Sequence, residues 1–298
     1  MPPSYQEAAK QRLFVISDIH IDYKENREIL LALSDTDYIR DTLLIAGDAT
    51  DSADILRSFL AAMANKFAKV LFVPGNHELW LKRSDHTHSL DKFHELIEMC
   101  VDLGVDTTPQ SIGSQQRLWL VPLFSWYHTA EHGERSLFLE KKGVEDKTHE
   151  MWGDFFATKW PSTIEDDICG HFLEMNQSAL GRDYDAPVVS FSHFLPRQEL
   201  MLSTEAERAA SRLNFKDLHP EFNFSRVAGS TEIESQLRSL GSRVHVYGHQ
   251  HRNRQRQIEG VTYLSHCMGY PKERKVGVVD EACAHPLEIW NDQDGFLV

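Results

Sequence analysis

Short apolar runs alternate with longer segments of helical periodicity through the first third of the chain. Three apolar runs stop abruptly at polar residues and predict buried strands, at residues 13–17, 42–46 and 69–73. Three other segments repeat apolar residues every three or four positions and predict amphipathic helices, at residues 26–35, 53–67 and 89–103. This alternation of strand and helix is typical of parallel βαβ units.

The remaining two thirds of the chain follow the same pattern less regularly. Apolar runs predict further strands, at residues 117–124, 186–191, 243–247, 255–258, 262–266, 277–280 and 287–290. Helical spacing appears at residues 164–180 and 231–240. Residues 129–162 have no steady period and predict an insertion or lid, and residues 198–224 predict a long connection. Because no linker rich in Pro, Gly or Ser divides it, we expect residues 1–298 to form a single domain.

The composition is that of a globular protein with a substantial core. Hydrophobic residues make up 41% of the chain and charged residues 26%. No apolar run approaches the roughly 18 residues that cross a bilayer, and the polar start does not resemble a signal peptide. The four cysteines show no CxxC spacing, which favours reduced thiols over a disulfide framework. We therefore expect a cytoplasmic protein with no membrane partner.

The net charge narrows the choice of partner. With 31 basic and 45 acidic residues, the chain carries a charge of −14 and repels polyanions at long range. A protein whose main task is to bind long nucleic acid is therefore not expected. A small phosphorylated substrate remains compatible, because metal ions can dominate the local charge in a cleft. The oligomeric state is not indicated by the sequence.

Candidate metal ligands follow the predicted strands at the points where the apolar runs end. They are Asp18, His20, Asp48, Asn76, His193, His249 and His251. In open α/β sheets, ligands bind in the crevice beyond the carboxyl ends of the strands, so separate segments can converge there. An extended Asp-x-His or His-x-His pair turns both side chains to one side. The sequence therefore predicts a metal site at this edge of the sheet.

The residue types indicate which metals this site suits. Mixed carboxylate and imidazole ligands favour Mn, Fe or Zn, whereas an all-oxygen set would favour Mg or Ca. Two ions need a ligand that bridges them, and a carboxylate such as Asp48 can do so. Such a pair clamps phosphoryl oxygens and lowers the pKa of a shared water, which gives a hydroxide nucleophile near neutral pH.

Five motifs make a family resemblance specific. They are Asp18-Ile19-His20, the segment from Gly47 to Asp51, Gly75-Asn76-His77-Glu78, Ser192-His193 and the segment from Gly248 to His251. In this order they resemble the calcineurin-like metallophosphoesterase superfamily. The resemblance spans residues 18–251 and implies an α/β fold, a four-layer α/β/β/α sandwich of two mixed sheets flanked by helices.

The resemblance also implies a role for each residue. Asp18, His20 and His251 would hold one metal ion, Asn76, His193 and His249 the other, and Asp48 would bridge them. His77 would lie beside the scissile phosphate and protonate the leaving oxygen. Asp51 would orient His77.

One departure from the family pattern bears on the substrate. The phosphoprotein-phosphatase branch has Arg-Gly after its equivalent of Asp51, where the arginine grips phosphate, but this chain has Ser52 and Ala53. We therefore expect a member outside that main branch. The resemblance implies hydrolysis of a phosphomonoester or phosphodiester bond and leaves the substrate open.

Candidate substrate-binding residues are less specific. Trp126 and Tyr127 suit an aromatic wall, and His128 is as compatible with the pocket as with a structural position. Arg197 and Arg252 suit the outer oxygens of a phosphate, although each is also compatible with a solvated surface position. For Trp80, ordinary packing is slightly favoured.

Two alternatives belong to other functional classes. A catalytically silent scaffold of the same fold would be expected to lack some of the metal ligands, yet this chain has every one. A nuclease would be expected to carry a basic groove, which an acidic chain does not favour.

Overall fold

Eleven strands and ten α-helices make up the part of the chain that the computed structural model describes, residues 10–210 and 219–298. The strands are β1 Arg12–Ile16, β2 Thr42–Ala46, β3 Lys69–Val73, β4 Gln110–Ile112, β5 Leu118–Pro122, β6 Val188–Phe191, β7 Ser242–Tyr247, β8 Arg254–Ile258, β9 Val261–Ser265, β10 Leu287–Asn291 and β11 Gly295–Phe296. The helices are α1 Lys24–Leu31, α2 Ala53–Lys66, α3 Ser89–Leu103, α4 Thr148–Met151, α5 Asp154–Ala157, α6 Ile168–Met175, α7 Gln177–Leu180, α8 Glu205–Ala210, α9 Thr231–Ser239 and α10 Pro271–Lys275. Short 3-10 turns lie at His77–Leu79, Ala130–Arg135, Gln198–Leu200, Phe224–Arg226 and Glu281–Ala284.

The strands form two mixed sheets. The first has the order β11-β10-β1-β2-β3, in which β1, β2 and β3 are parallel and β10 is antiparallel to β1. The second has the order β4-β5-β6-β7-β9-β8, in which β5, β6, β7 and β9 are parallel. The parallel strands bring their carboxyl ends, and the loops that follow them, to one edge of each sheet.

Alternating strand residues divide the core into layers. Leu13 and Val15 join a buried cluster with Val189 and Phe191 between the two sheets. The alternate residues Phe14 and Ile16 turn the other way and pack on helices α1, α2 and α3. A third cluster covers the opposite face of the second sheet with residues of α7 and α9. The predicted arrangement of two mixed sheets flanked by helices is therefore confirmed.

Local sequence signals fix several helix ends. The Ser52 side chain accepts a hydrogen bond from the backbone of Ile55 and so caps α2. Helix α3 ends at Gly104, whose φ of 68° is the left-handed conformation that closes a helix. Helix α6 begins only at Ile168, because the Asp167 side chain caps it by accepting from Gly170. The predicted helix at 164–180 was thus too long at its start.

Two other predictions need correction. Residues 277–280 do not form a strand, because Gly277 and Val278 donate back to the end of α10 and turn the chain. Strand β4 was not predicted, because it lies at the edge of its sheet and two of its three residues, Gln110 and Ser111, are polar. The predicted connection at 198–224 contains α8, and residues 211–218 within it lie outside the described residues. In the described ranges, no helix is long and apolar enough to cross a membrane.

Candidate metal centre and active site

Loops from both sheets place seven candidate metal ligands close together, and we call this group the ligand cage. Six of them form two sets, each with donor atoms within 4.8 Å of one another: Asp18, His20 and His251, and Asp48, His193 and His249. The seventh, Asn76, places its Oδ1 3.2 Å from His193 Nε2. The structure thus brings together all seven residues that the sequence singles out.

The backbone of the ligand cage is strained. Six residues other than glycine have a positive φ in the described part of the chain, and five of these belong to the cage: Asp18, His20, Asp48, His249 and His251. A left-handed conformation costs a residue with a side chain about 1–2 kcal/mol. Such strain persists where the surrounding structure enforces it, typically at functional sites. The fold therefore maintains strained loops that direct these donor atoms inward.

Two glycines in the cage loops allow the close approach of neighbouring segments. A Cβ on Gly75 would collide with the carboxylate of Asp48. A Cβ on Gly248 would lie 2.7 Å from Asp18 Oδ2. Any larger residue at either position would displace a candidate ligand.

Hydrogen bonds fix how the cage imidazoles are turned. The His193 Nδ1 donates to the carbonyl of Ala46 at 2.9 Å, which leaves Nε2 facing the cage. The His249 Nε2 lies 2.9 Å from the Val227 carbonyl, and His251 Nδ1 lies 2.7 Å from Glu273. One nitrogen of each ring is thus anchored outside the cage, which is the usual arrangement of metal-binding histidines.

The charges within the cage fit bound cations. Asp18 and Asp48 are fully buried, and no Lys or Arg among the described residues is paired with either. Buried carboxylates without a counter-ion are costly unless a cation accompanies them. The Nε2 atoms of His20 and His251 lie 2.9 Å apart, so each ring could offer one nitrogen to the same metal ion. Carboxylate, imidazole and amide donors together fit transition-metal ions.

The protonation states of the cage histidines differ. Burial and the nearby His77 and His251 hold the pKa of His20 well below its ordinary value. Burial likewise lowers the pKa of His249. In His193, burial opposes the charge, but the carboxylate of Asp48 raises the pKa to about 9. Neutral imidazoles are the form that ligates metals, so His20 and His249 are ready to bind.

Glu78 ties two cage loops together. Its carboxylate is fully buried and accepts four backbone hydrogen bonds, from Asp48, Ala49, Thr50 and Gly75, at 2.6–3.0 Å. A carboxylate that accepts several backbone N–H groups holds the segments that donate to it in fixed positions. Glu78 therefore fixes the position of Asp48 relative to Asn76, a role that the sequence did not reveal although Glu78 belongs to the third motif.

His77 lies at the edge of the cage and faces a pocket. Its backbone N–H donates to Asp48 Oδ1 at 3.0 Å, and its side chain is 16% exposed. The imidazole stacks on Trp80 with ring centres 3.8 Å apart. Asp154, from the segment predicted to be an insertion, accepts from both Trp80 Nε1 and Asn76 Nδ2. The site thus depends on a residue from segment 129–162, and Trp80 is a site residue rather than ordinary packing.

Asp51 does not hold His77 in the way that the resemblance implied. Its Oδ1 lies 2.5 Å from Nη2 of Arg83, and no hydrogen bond joins Asp51 to His77 in the described part of the chain. The Arg83 guanidinium also contacts Asp22 at 2.6 Å. The structure therefore assigns Asp51 to an acid–arginine pair beside the pocket.

A cavity of about 310 Å³ opens beside the ligand cage, and we call it the cage pocket. It is lined by His20, Asp22, Tyr23, Asp51, His77, Trp80, Arg83 and Tyr270. The described lining combines aromatic walls with one arginine and the edge of the ligand cage. This is the composition expected of a small-molecule site, where a few polar groups orient a ligand between apolar walls.

The motifs, the fold and the cage agree with a known family. The model of the family described as calcineurin-like phosphoesterase matches residues 11–253. The chain belongs to this family. It is therefore a metal-dependent phosphoric ester hydrolase, and the predicted family, fold and reaction class are confirmed.

A mycobacterial enzyme resembles this phosphoesterase along almost its whole length. The [acyl-carrier-protein] phosphodiesterase PptH of Mycobacterium tuberculosis is 27% identical over 277 residues, which cover 89% of this chain and 80% of that protein. The crystal structure of phosphopantetheinyl hydrolase PptH from Mycobacterium tuberculosis matches with a TM-score of 0.71 and 24% identity, over 94% of this chain and 96% of that one. The second comparison shows a shared fold.

The aromatic wall lies elsewhere in this phosphoesterase than the sequence predicted. Trp126 and Tyr127 are buried and pack on Phe194, behind the cage histidines. Their remaining surface faces a separate cavity of about 420 Å³. Stacking partners in the core, rather than a ligand, account for their positions.

His128 is also withdrawn from the cage pocket. It forms what we call the His128 cluster with His132 and Asp167, whose donor atoms lie within 4.8 Å of one another. His128 Nε2 is 2.9 Å from Asp167 Oδ1, and Arg135 pairs with the other oxygen of Asp167 at 2.8 Å. The carboxylate of Asp167 therefore already has a cationic partner in Arg135.

Neither predicted phosphate-binding arginine lines the cage pocket. Arg197 pairs with Glu199, Glu234 and Glu259 at 2.8–3.1 Å, and these carboxylates raise the pKa of its guanidinium. Arg252 lies near Glu273. Burial opposes the charge of this carboxylate, but the hydrogen bond with His251 lowers its pKa, and the positive charge of Arg252 adds to the lowering. The arginine that does line the pocket is Arg83, which follows the third motif by a few residues but has no motif of its own.

Proposed function

We propose that this phosphoesterase hydrolyses the phosphodiester bond that joins a phosphopantetheinyl group to an acyl-carrier protein. The observation that carries the proposal is the match to PptH, which is 27% identical over 89% of this chain and 80% of that protein. Water would be consumed, the bond between phosphorus and the carrier-side oxygen would break, and the products would be free phosphopantetheine and a carrier hydroxyl group.

The ligand cage would hold two metal ions in the division that the resemblance implies. We assign Asp18, His20 and His251 to one ion and Asn76, His193 and His249 to the other, with Asp48 between them. When bound, such a pair clamps phosphoryl oxygens and activates a water for attack. The mixture of donors supports Mn, Fe or Zn as the metals.

His77 would act as the general acid. Its imidazole lies at the mouth of the cage, fixed by the stack on Trp80 and by its backbone hydrogen bond to Asp48. A group held in this way can protonate a leaving oxygen without moving far. This assignment matters because the leaving group of a carrier-protein diester is an alkoxide, which needs a proton.

The aromatic walls of the cage pocket would receive the pantetheine arm. Tyr23 and Tyr270 have ring centres 5.3 Å apart on one side, and Tyr270 lies 4.3 Å from the His20 ring. Trp80 also lines the pocket. Such surfaces suit a flexible arm with apolar stretches and a few polar groups.

The compartment proposed from the composition is the cytoplasm. All four cysteines, Cys100, Cys169, Cys267 and Cys283, are free. Unpaired thiols are what a reducing compartment maintains, which supports the proposal.

Incubation with an acyl-carrier protein bearing its phosphopantetheinyl group tests the proposed substrate. Intact-protein mass spectrometry should show loss of that group, and free phosphopantetheine should appear in solution. The same carrier treated with the Asp48→Asn variant is the control. If the wild-type protein with added Mn cleaves bis(4-nitrophenyl) phosphate but leaves the carrier intact, the proposed substrate is wrong while the reaction class stands.

A further inference from the structure

The segment directly after His77–Leu79 forms one wall of the cage pocket and carries a cation into it. Among the described residues, Arg83 is the one arginine in the lining of this pocket, and half of its side chain is exposed. Its Nη2 contacts Asp22 at 2.6 Å and Asp51 at 2.5 Å. In the described part of the chain its Nε and Nη1 have no protein partner, so N–H groups of the guanidinium remain free to donate to a ligand.

The surroundings hold Arg83 in place before any ligand arrives. Asp22 accepts from Thr50 Oγ1 at 2.8 Å, which fixes the first carboxylate. The buried Lys92 donates to the carbonyl of Asp51 at 2.7 Å and to the carbonyl of Trp80 at 2.6 Å. The loop that carries Arg83 is therefore tied to the loop that carries Asp51, and the arginine is preorganised.

The position of Arg83 explains the departure at Ser52 and Ala53. The resemblance associates the residue after Asp51 with an arginine that grips phosphate, and this chain lacks it there. Arg83 places a guanidinium directly against Asp51 from a different loop. The remaining N–H groups on Nε and Nη1 can donate charge-assisted hydrogen bonds to phosphate oxygens.

We propose that Arg83 binds the outer oxygens of the scissile phosphate, held for that purpose by Asp22 and Asp51. This inference rests on the proposed function in one respect, that the cage pocket receives the phosphate group. It does not depend on the identity of the alcohol on either side of the phosphorus.

The alternative is that Arg83 only neutralises two carboxylates. Phosphate affinity separates the two roles, because inorganic phosphate lacks the rest of any substrate. The inhibition constant of phosphate is measured against bis(4-nitrophenyl) phosphate, and the shift in melting temperature with added phosphate provides a readout without turnover. Metal content is measured on the same samples.

For Arg83→Ala we expect phosphate to bind about tenfold more weakly or worse, since charge-assisted hydrogen bonds are lost. KM should rise in parallel while metal content stays at the wild-type level. Free guanidinium ion should partly restore phosphate binding. Arg83→Lys should keep the fold and the metals yet bind phosphate more weakly, because an ammonium is a point charge without the fork.

Arg57→Ala is the matched control. Arg57 is 47% exposed and lies 3.9 Å from Asp102, so the substitution removes a similar ion pair far from the pocket. It should leave phosphate affinity unchanged. If Arg83→Ala and Arg83→Lys both bind phosphate within about twofold of the wild type, the inference is wrong. Neither measurement involves a carrier protein, so failure of the proposed substrate is a separate result.

Discussion

Two groups of histidines and carboxylates in this protein have donor atoms at similar distances but differ in backbone conformation and in the partners of their carboxylates. The ligand cage has strained backbones at five of its residues and two buried carboxylates without Lys or Arg partners among the described residues. None of the three residues of the His128 cluster has a positive φ, and its carboxylate is paired with Arg135. A cluster of potential donors is thus not enough to indicate a metal site. In the described part of the chain, the strained backbone and the lack of a Lys or Arg partner for the buried carboxylates distinguish the ligand cage.

The largest expected effect separates the two groups directly. Asp48→Asn should lose bound metal and reduce activity more than 100-fold, because even residues behind metal ligands cost about 10- to 100-fold when removed. Asp167→Asn should leave metal content unchanged. Elemental analysis of both purified variants measures this. A wild-type metal content in Asp48→Asn would place the metals elsewhere.

The second comparison concerns His77 and His128, the two histidines that the sequence offered as candidates for the substrate pocket. Of these, only His77 lines the cage pocket. His77→Ala should keep its metals but lower kcat about 100- to 10,000-fold on an alkyl phosphodiester. The loss should be much smaller with a nitrophenolate leaving group, which needs no proton. His128→Ala should change kcat little on either substrate. Equal losses on both leaving groups would show that His77 is not the acid.

Glu78 offers a test of how the cage loops are held. Glu78→Gln replaces an acceptor of four backbone N–H groups with an amide that places donors against donors. We expect a loss of unfolding free energy of about 3–6 kcal/mol, since two of the four N–H groups lose their acceptor and a hydrogen bond to a charged group is worth roughly 1.5–3 kcal/mol. Glu98→Gln, at an exposed position of α3, should change little. Urea denaturation measures both.

The smallest effect involves His245, a buried histidine that has no carboxylate partner among residues 10–210 and 219–298. Its ring lies between the hydroxyl groups of Ser190 and Ser192, and burial lowers its pKa to about 3. Because the unfolded chain binds this proton near pH 6.5 and the folded chain does not, stability is lost as the pH falls from about 6.5 toward 3.

Relative to wild type, His245→Gln should therefore lose less stability on acidification, by up to about 1.4 kcal/mol per pH unit. Urea denaturation at pH 6.5 and 5.5 measures the difference. Parallel pH dependence in the two proteins would show that His245 titrates normally.

The sequence predicted those parts of the site that follow strands. Apolar runs such as Thr42–Ala46 are buried along their whole length, so their ends and the polar residues after them were visible. The two-residue spacing of Asp18 and His20 predicted an extended pair with both side chains on one side. The extended conformation was wrong, because both residues have a positive φ, yet their donor atoms lie within 4.8 Å of one another in the cage.

The residues that the sequence missed come from loops. Asp154 lies 78 positions from Asn76 and in a segment without periodicity, so nothing local links the two. Arg83 is one of many charged loop residues, and only its contacts with Asp22 and Asp51 distinguish it. Arg197 was misleading because its proximity to His193 in sequence does not continue in space, where three glutamates surround it.

Anomalous diffraction from crystals grown with Mn would test the central claim most directly. We predict two peaks inside the ligand cage, one beside Asp18, His20 and His251 and the other beside Asn76, His193 and His249, with Asp48 between them. We predict no peak at the His128 cluster. A map with an empty cage, or with its strongest peak beside Asp167, would contradict the account.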